Sequence, residues 1–163
     1  MQAAFEEAKK GLGEGGIPIG SVLVRDGKII GRGRNKRVQS GDPTAHAEID
    51  CLRNAGRIGS YDDCILYSTL SPCFLCSGAA MLFKIPKVVL AEHKNFMGGE
   101  AVMRAHGIEV VNVKEPEITE FFGEWTKKHP ELWDEDIGEL KHGLKGHEFM
   151  HHKKVHRKLT SKR

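Results

Sequence analysis

The stretch "AHAEIDCL", Ala45 to Leu52, sets a histidine and a glutamate two residues apart, and "SPCFLC", Ser71 to Cys76, follows with a Pro-Cys-x-x-Cys. Four cysteines in 163 residues are not a disulfide framework. In a reducing compartment such a pair reads as a metal or redox site. Cys73 and Cys76 are three apart on an expected helix, so both face one side. They fall in its first turn, where free N–H groups and the positive end of the dipole favour thiolates. Thiolates at this spacing are good zinc ligands, and His46 would add a third ligand. A structural zinc closes on four protein ligands, whereas three leave a position for water and mark a catalytic site. Zinc lowers the pKa of that water to about 7. Glu48 can lean over the open position as a proton carrier. Cys51, about one and a half turns beyond His46, points elsewhere. It and Cys64, which opens a strand, read as small buried core residues. A redox pair would instead form a disulfide and hold no metal. A zinc-stabilised scaffold binding partners through its tail would have no use for Glu48.

The elements around these residues must bring them together. "QAAFEEAKKGL" predicts a helix over about 2 to 12. "IPIGSVLVRDGKIIGRGRN" is two apolar runs joined by Asp26-Gly27, a hairpin signal. "PTAHAEIDCLRNAGR" predicts an amphipathic helix capped by Thr44 and stopped at Gly56 or just beyond. "CILYSTL" is a strand, and "SPCFLCSGAAMLFKI" a helix with Pro72 in its first turn, where a missing N–H costs nothing. Strand, helix, strand follow in "KVVLAE", "GEAVMRAHG" and "IEVVNV", then helices in "PEITEFFGEWTKKH" and "PELWDEDIGEL". This order predicts an α/β protein, a three-layer α/β/α sandwich around a mixed sheet. Two helix starts converging at one sheet edge would unite the three ligands.

The composition, 39% hydrophobic and 29% charged, is that of a soluble globular domain. No apolar run approaches the roughly 20 residues of a membrane helix, and the N-terminal segment has no signal-peptide run. The expected address is the cytoplasm. The net charge of +3 hides an asymmetry. Residues 141–163 hold eight Lys and Arg against Glu148 alone, a charge of +7, so residues 1–140 carry −4. One domain is expected over 1–140, followed by a basic, His-rich, flexible and dispensable tail. A nucleic-acid enzyme should present a basic groove, so the acidic body argues against nucleic acid except weakly through the tail.

His-x-Glu followed by Pro-Cys-x-x-Cys is the signature of zinc nucleobase deaminases. Beyond that motif, the chain resembles the fungal-type cytosine deaminases of the cytidine/deoxycytidylate deaminase superfamily from about Ala4 to Glu139. The matching stretches are "EGGIPIG", "GRGRN", "TLSPC", Asn95-Phe96 and "LWDEDIGE". The resemblance implies a cytidine deaminase-like fold, a homodimer with one zinc per subunit, and hydrolysis of cytosine to uracil and ammonia. It implies that His46, Cys73 and Cys76 hold the zinc. Glu48 would carry a proton from water to the ring nitrogen and then help protonate the leaving ammonia. Asn35 would read the pyrimidine edge, and the Ala47 backbone N–H would meet the ring carbonyl. The Ser71 backbone carbonyl would accept from the departing amine, and Asp136 from a ring N–H. Phe96 and Trp133 would stack on or wall in the base above an apolar floor at Ile19. One departure matters: Ala47 stands where the fungal type has Gly. "DPTAHAE" resembles guanine and tRNA adenosine deaminases instead. Isocytosine, amino-triazine or creatinine-like rings, guanine, and more remotely tRNA adenosine are therefore the alternative substrates.

Overall fold

Strand pairing decides the architecture. The computed structural model describes residues 1–139. Its elements are α1 (Gln2–Gly13), β1 (Gly20–Arg25), β2 (Lys28–Arg34), α2 (Arg37–Ser40), α3 (Ala47–Ala55), β3 (Cys64–Ser68), α4 (Phe74–Leu82), β4 (Lys87–Leu90), α5 (Glu100–Ala105), β5 (Glu109–Asn112), α6 (Pro116–Lys128) and α7 (Pro130–Asp136). Five strands form one sheet in the order β2-β1-β3-β4-β5. β1 runs antiparallel to both β2 and β3, and β3, β4 and β5 are parallel. The expected Asp26-Gly27 hairpin is present, with both residues at positive φ, as a tight two-residue turn requires. The sheet is thus mixed, as expected, and the two parallel crossovers are the helices α4 and α5.

Residues paired across strands share a face, so the register sorts the helices. Leu23 pairs with Leu66 and Leu66 with Val88, and this row is buried against Cys51 and Leu52 of α3, Ala80 of α4 and Met103 of α5. The next row belongs to the other face, where Phe5 and Ala8 of α1 cluster with Ala91 and Ile118 of α6. Phe5 meets Phe121 edge to face, ring centroids 5.1 Å apart. Three layers result: α3, α4 and α5, then the sheet, then α1 and α6. Arg34, at the end of β2, ties the sheet to α1 through Glu7 at 3.0 Å and Glu14 at 2.7 Å. Gly33 permits the close seat of α3. A Cβ there would collide with the Cys51 amide nitrogen and the Ala47 carbonyl oxygen.

Two sequence expectations are corrected. Thr44 is not the cap of α3: its hydroxyl and its N–H both donate to Asp42 Oδ1, at 2.7 and 2.8 Å, closing a turn around Pro43. The cap position is His46, with extended backbone (φ −69°, ψ 160°). Likewise α4 starts at Phe74 with Cys73 as its cap, so Pro72 precedes the helix rather than occupying its first turn. The short helix α2 was not legible, because its four residues carry no periodic pattern.

The chain divides into two compact units, Met1–Lys128 and a second beginning at His129, whose described residues carry α7. The expected domain end at residue 140 falls where description stops, and the basic tail, 141–163, lies outside the described residues.

Candidate active site

The antiparallel pairing of β1 with both neighbours puts the start of β1, the end of β2 and the end of β3 at one edge of the sheet. The caps of α3 and α4 meet at that edge. His46 Nδ1 lies 3.4 Å from Cys73 Sγ. The ligand atoms of His46, Cys73 and Cys76 all lie within 4.8 Å of one another. Tetrahedral zinc, with bonds of about 2.0–2.3 Å to nitrogen and sulphur, needs its ligands at separations of this order. One imidazole and two thiols are a zinc donor set, so the residues fit the metal. All four cysteines are free thiols.

Mutual hydrogen bonds among the three ligands explain the electrostatics. Cys73 is the cap of α4 and Cys76 sits in its first turn. The Cys76 thiol hydrogen-bonds to Cys73, and with the His46 ring this outweighs burial and draws the Cys73 thiol down to about 4. The proton in that bond stays on Cys76, raised by the same interaction and by burial. A cation replacing that proton would be met by two sulphurs and a nitrogen already in place. Cys51, in contrast, is fully buried in the core, and burial pushes its thiol up to about 12. Cys64 is buried too.

Glu48 is buried beside the three ligands, 4% exposed. Burial first, and the neighbouring Cys73 second, raise its carboxyl above the usual carboxylate range. Its Oε1 accepts a hydrogen bond of 2.8 Å from Ser68 Oγ. Ser68 ends β3, so the sheet itself aims the carboxyl. A buried carboxyl raised in this way can take up a proton more readily than a free one and give it back.

The remaining expected residues fall on several elements. Ala47 is the first residue of α3 and is buried. Asn35 is fully buried just beyond β2. Its N–H donates to the Ile19 carbonyl at 2.9 Å, which fixes Asn35 and Ile19 side by side, and its Oδ1 accepts from Arg37 N–H at 3.1 Å. Asp50 of α3 holds both neighbours of Asn35, accepting from Arg34 N–H at 3.1 Å and Lys36 Nζ at 2.9 Å. Ser71 is buried after β3, and Phe96 is half-buried between β4 and α5. Trp133 and Asp136 lie one turn apart on α7, in the unit that begins at His129. Sequence reasoning missed Ser68, Asp50 and Glu100, whose parts follow from register and burial.

A metal-ready cluster of one histidine and two thiols with a buried carboxyl beside it, on an α/β/α sandwich, defines a zinc-dependent hydrolase. Residues 1–92 match the cytidine and deoxycytidylate deaminase zinc-binding region, and the chain belongs to that family, whose members hydrolyse a C–N bond. It is 42% identical over 142 residues to the cytosine deaminase of Candida albicans, covering 85% of this chain and 95% of that protein. It is 44% identical over 99 residues to the guanine deaminase of Bacillus subtilis, covering 57% of this chain and 63% of that protein. A solved structure from work on A-to-I editing by tRNA:A34 deaminases superposes with a TM-score of 0.67 at 30% identity, covering 74% of this chain and 96% of that one.

Proposed function

We propose that the protein is a cytosine deaminase, converting cytosine to uracil and ammonia. The observation that carries this reading is the reach of the likeness. The match to a cytosine deaminase runs through 95% of that protein, whereas the match to a guanine deaminase spans less than two thirds of it. His46, Cys73 and Cys76 would hold the zinc. Bound there, zinc supplies a water activated at neutral pH.

The chain's own residues supply the rest. Glu48 takes the proton of the attacking water and delivers it to the ring nitrogen beside the reacting C4. The same carboxyl then passes a proton to the leaving amine, which departs as ammonia. Asn35, buried and fixed to Ile19, reads the pyrimidine edge. The Ala47 N–H faces the ring carbonyl, the Ser71 carbonyl accepts from the departing amine, and Asp136 accepts a ring N–H. Ile19, Phe96 and Trp133 enclose the base. Polar groups committed to one ring edge reject analogues lacking the partner, because they would be left buried and unpaired.

The working form in this reading is a homodimer in the cytoplasm, acting on a free base rather than on nucleic acid. The outer face of α4 supports the dimer: Phe74 is 72% and Leu82 74% exposed, at positions eight apart that share one side of the helix. No helix among the described residues is long and apolar enough to cross a membrane.

The test is ammonia release from cytosine, isocytosine, guanine and an amino-triazine side by side. Cytosine is expected to be turned over fastest. Turnover of guanine alone would replace the substrate, in line with the resemblance of "DPTAHAE" to guanine deaminases.

A further inference from the structure

Behind the four chemistry-bearing side chains lies a second buried carboxylate. Glu100 opens α5 and is 2% exposed. Its Oε1 accepts from Ser71 Oγ at 2.9 Å and lies 2.9 Å from His93 Nδ1, while its Oε2 accepts from Arg104 Nη2 at 3.0 Å. These partners compensate a charge that burial alone would penalise. The Ser71 hydroxyl does double duty, since it also accepts from Gly98 N–H at 3.1 Å. Beside it, Gly99 N–H donates to the Pro72 carbonyl at 2.8 Å, and Ser77 Oγ donates to that same carbonyl at 3.1 Å. A Cβ on Gly98 would collide with the Pro72 carbonyl oxygen, so glycine is what lets the two backbones touch.

In the segment from Ser71 to Cys73, only Cys73 joins a helix ladder, its carbonyl accepting from Ser77 N–H at 2.8 Å. Beyond that bond the segment is placed by the contacts above and by Ser71 N–H, which donates to the Glu92 carbonyl at 3.0 Å. It carries both a metal ligand, Cys73, and the backbone carbonyl of Ser71. We infer that Glu100 is a positioning residue of the reaction: through the Ser71 hydroxyl it fixes residues 71–73, and with them the Cys73 sulphur and the Ser71 carbonyl. The inference rests on the deaminase reading above. Without the carboxylate, the Ser71 hydroxyl loses its acceptor and keeps only the bond from Gly98 N–H. A shift of about 1 Å at reacting groups costs up to about 10²-fold in rate.

The experiment compares wild type, Ser71→Ala, Glu100→Ala, Glu100→Gln and the double alanine variant, loaded with zinc for kinetics and with Co(II) for absorption spectroscopy. Each single alanine change is expected to lower kcat on cytosine about tenfold with KM nearly unchanged, as for a contact realised in the transition state. The double variant should be no slower than the slower single one, because Ser71→Ala already removes the bond to Glu100. Glu100→Gln, which keeps an acceptor for Ser71, should recover most of kcat. The Co(II) d–d bands should move together in Ser71→Ala and Glu100→Ala and stay in place in Glu100→Gln. Additive losses, or losses that only track unfolded or zinc-free protein, with unmoved bands, would overturn the inference. Should wild type turn over no small base, the substrate reading fails and the cobalt bands alone decide. A shift shared by the two alanine variants sustains the positioning role, and unmoved bands refute it.

Discussion

Glu48 owes its orientation to a serine that no motif announces. His46, Glu48, Cys73 and Cys76 were legible because their chemistry is encoded in short spacings: two residues in one helix start, three in another. Ser68 was not legible, since it is an ordinary strand serine 20 residues from Glu48, and only the register of β3 brings its hydroxyl to 2.8 Å from the carboxyl. A hydrogen bond to a charged group contributes about 1.5–3 kcal/mol, so we expect Ser68→Ala to lower kcat/KM by about tenfold or more while zinc content stays unchanged. Steady-state assays at matched zinc occupancy check this, and an unimpaired variant would show that Glu48 is held by burial alone. Asn35 and Ile19 were legible only through resemblance. Their proximity depends on a backbone bond that joins the start of β1 to the exit of β2.

At the scale of elements, hairpin, alternating helices and strands, and the mixed sheet were all readable from periodicity and turn residues. The sequence signals for two helix starts stand a residue or two early, at Thr44 and Pro72 instead of at the metal ligands. Both are favoured cap and first-turn residues, but the Asp42 turn captured one and the Pro72 carbonyl contacts hold the other outside the helix. The close seat of α3 on β2 was invisible, because a glycine in "GRGRN" does not say which helix approaches it. We expect Gly33→Ala to push α3 off the sheet, costing about 1–3 kcal/mol and lowering the thermal midpoint with a parallel loss of activity. Differential scanning calorimetry reads the first effect, and a normal midpoint would contradict the packing described.

The start of α5 carries its own pH signature. Burial would raise the Glu100 carboxyl, but its bonds with His93, Ser71 and Arg104 outweigh that and hold it below the usual carboxylate range. A carboxyl held low in the fold stabilises it above the unfolded pKa and loses that contribution as pH falls through the folded value. Glu100→Gln should therefore be less stable than wild type at neutral pH. The gap should close as pH falls below about 4, where the unfolded carboxyl is protonated. Urea midpoints across pH 3 to 7, on the order of a dozen points, would show it; a gap independent of pH would deny the charge any part.

For the whole molecule, the acidic body and basic tail were visible in the charge count, and the family in the motif with its flanking stretches. The division at Lys128 was not, since "PELWDEDIGEL" continues the helical pattern with no linker composition to mark a break. The apolar outer face of α4 also belongs to this scale. If a second copy covers it, Leu82→Glu should halve the mass seen by light scattering, and an unchanged dimer would place the interface elsewhere. The central claim is that four side chains form one hydrolytic zinc site, and its most direct test is zinc content and ammonia release measured together for wild type and Glu48→Ala. We expect one zinc per chain in both proteins, with deamination by wild type slowed about 10²-fold or more in the variant. Equal deamination by the two proteins, or a wild type that deaminates without zinc, would contradict it.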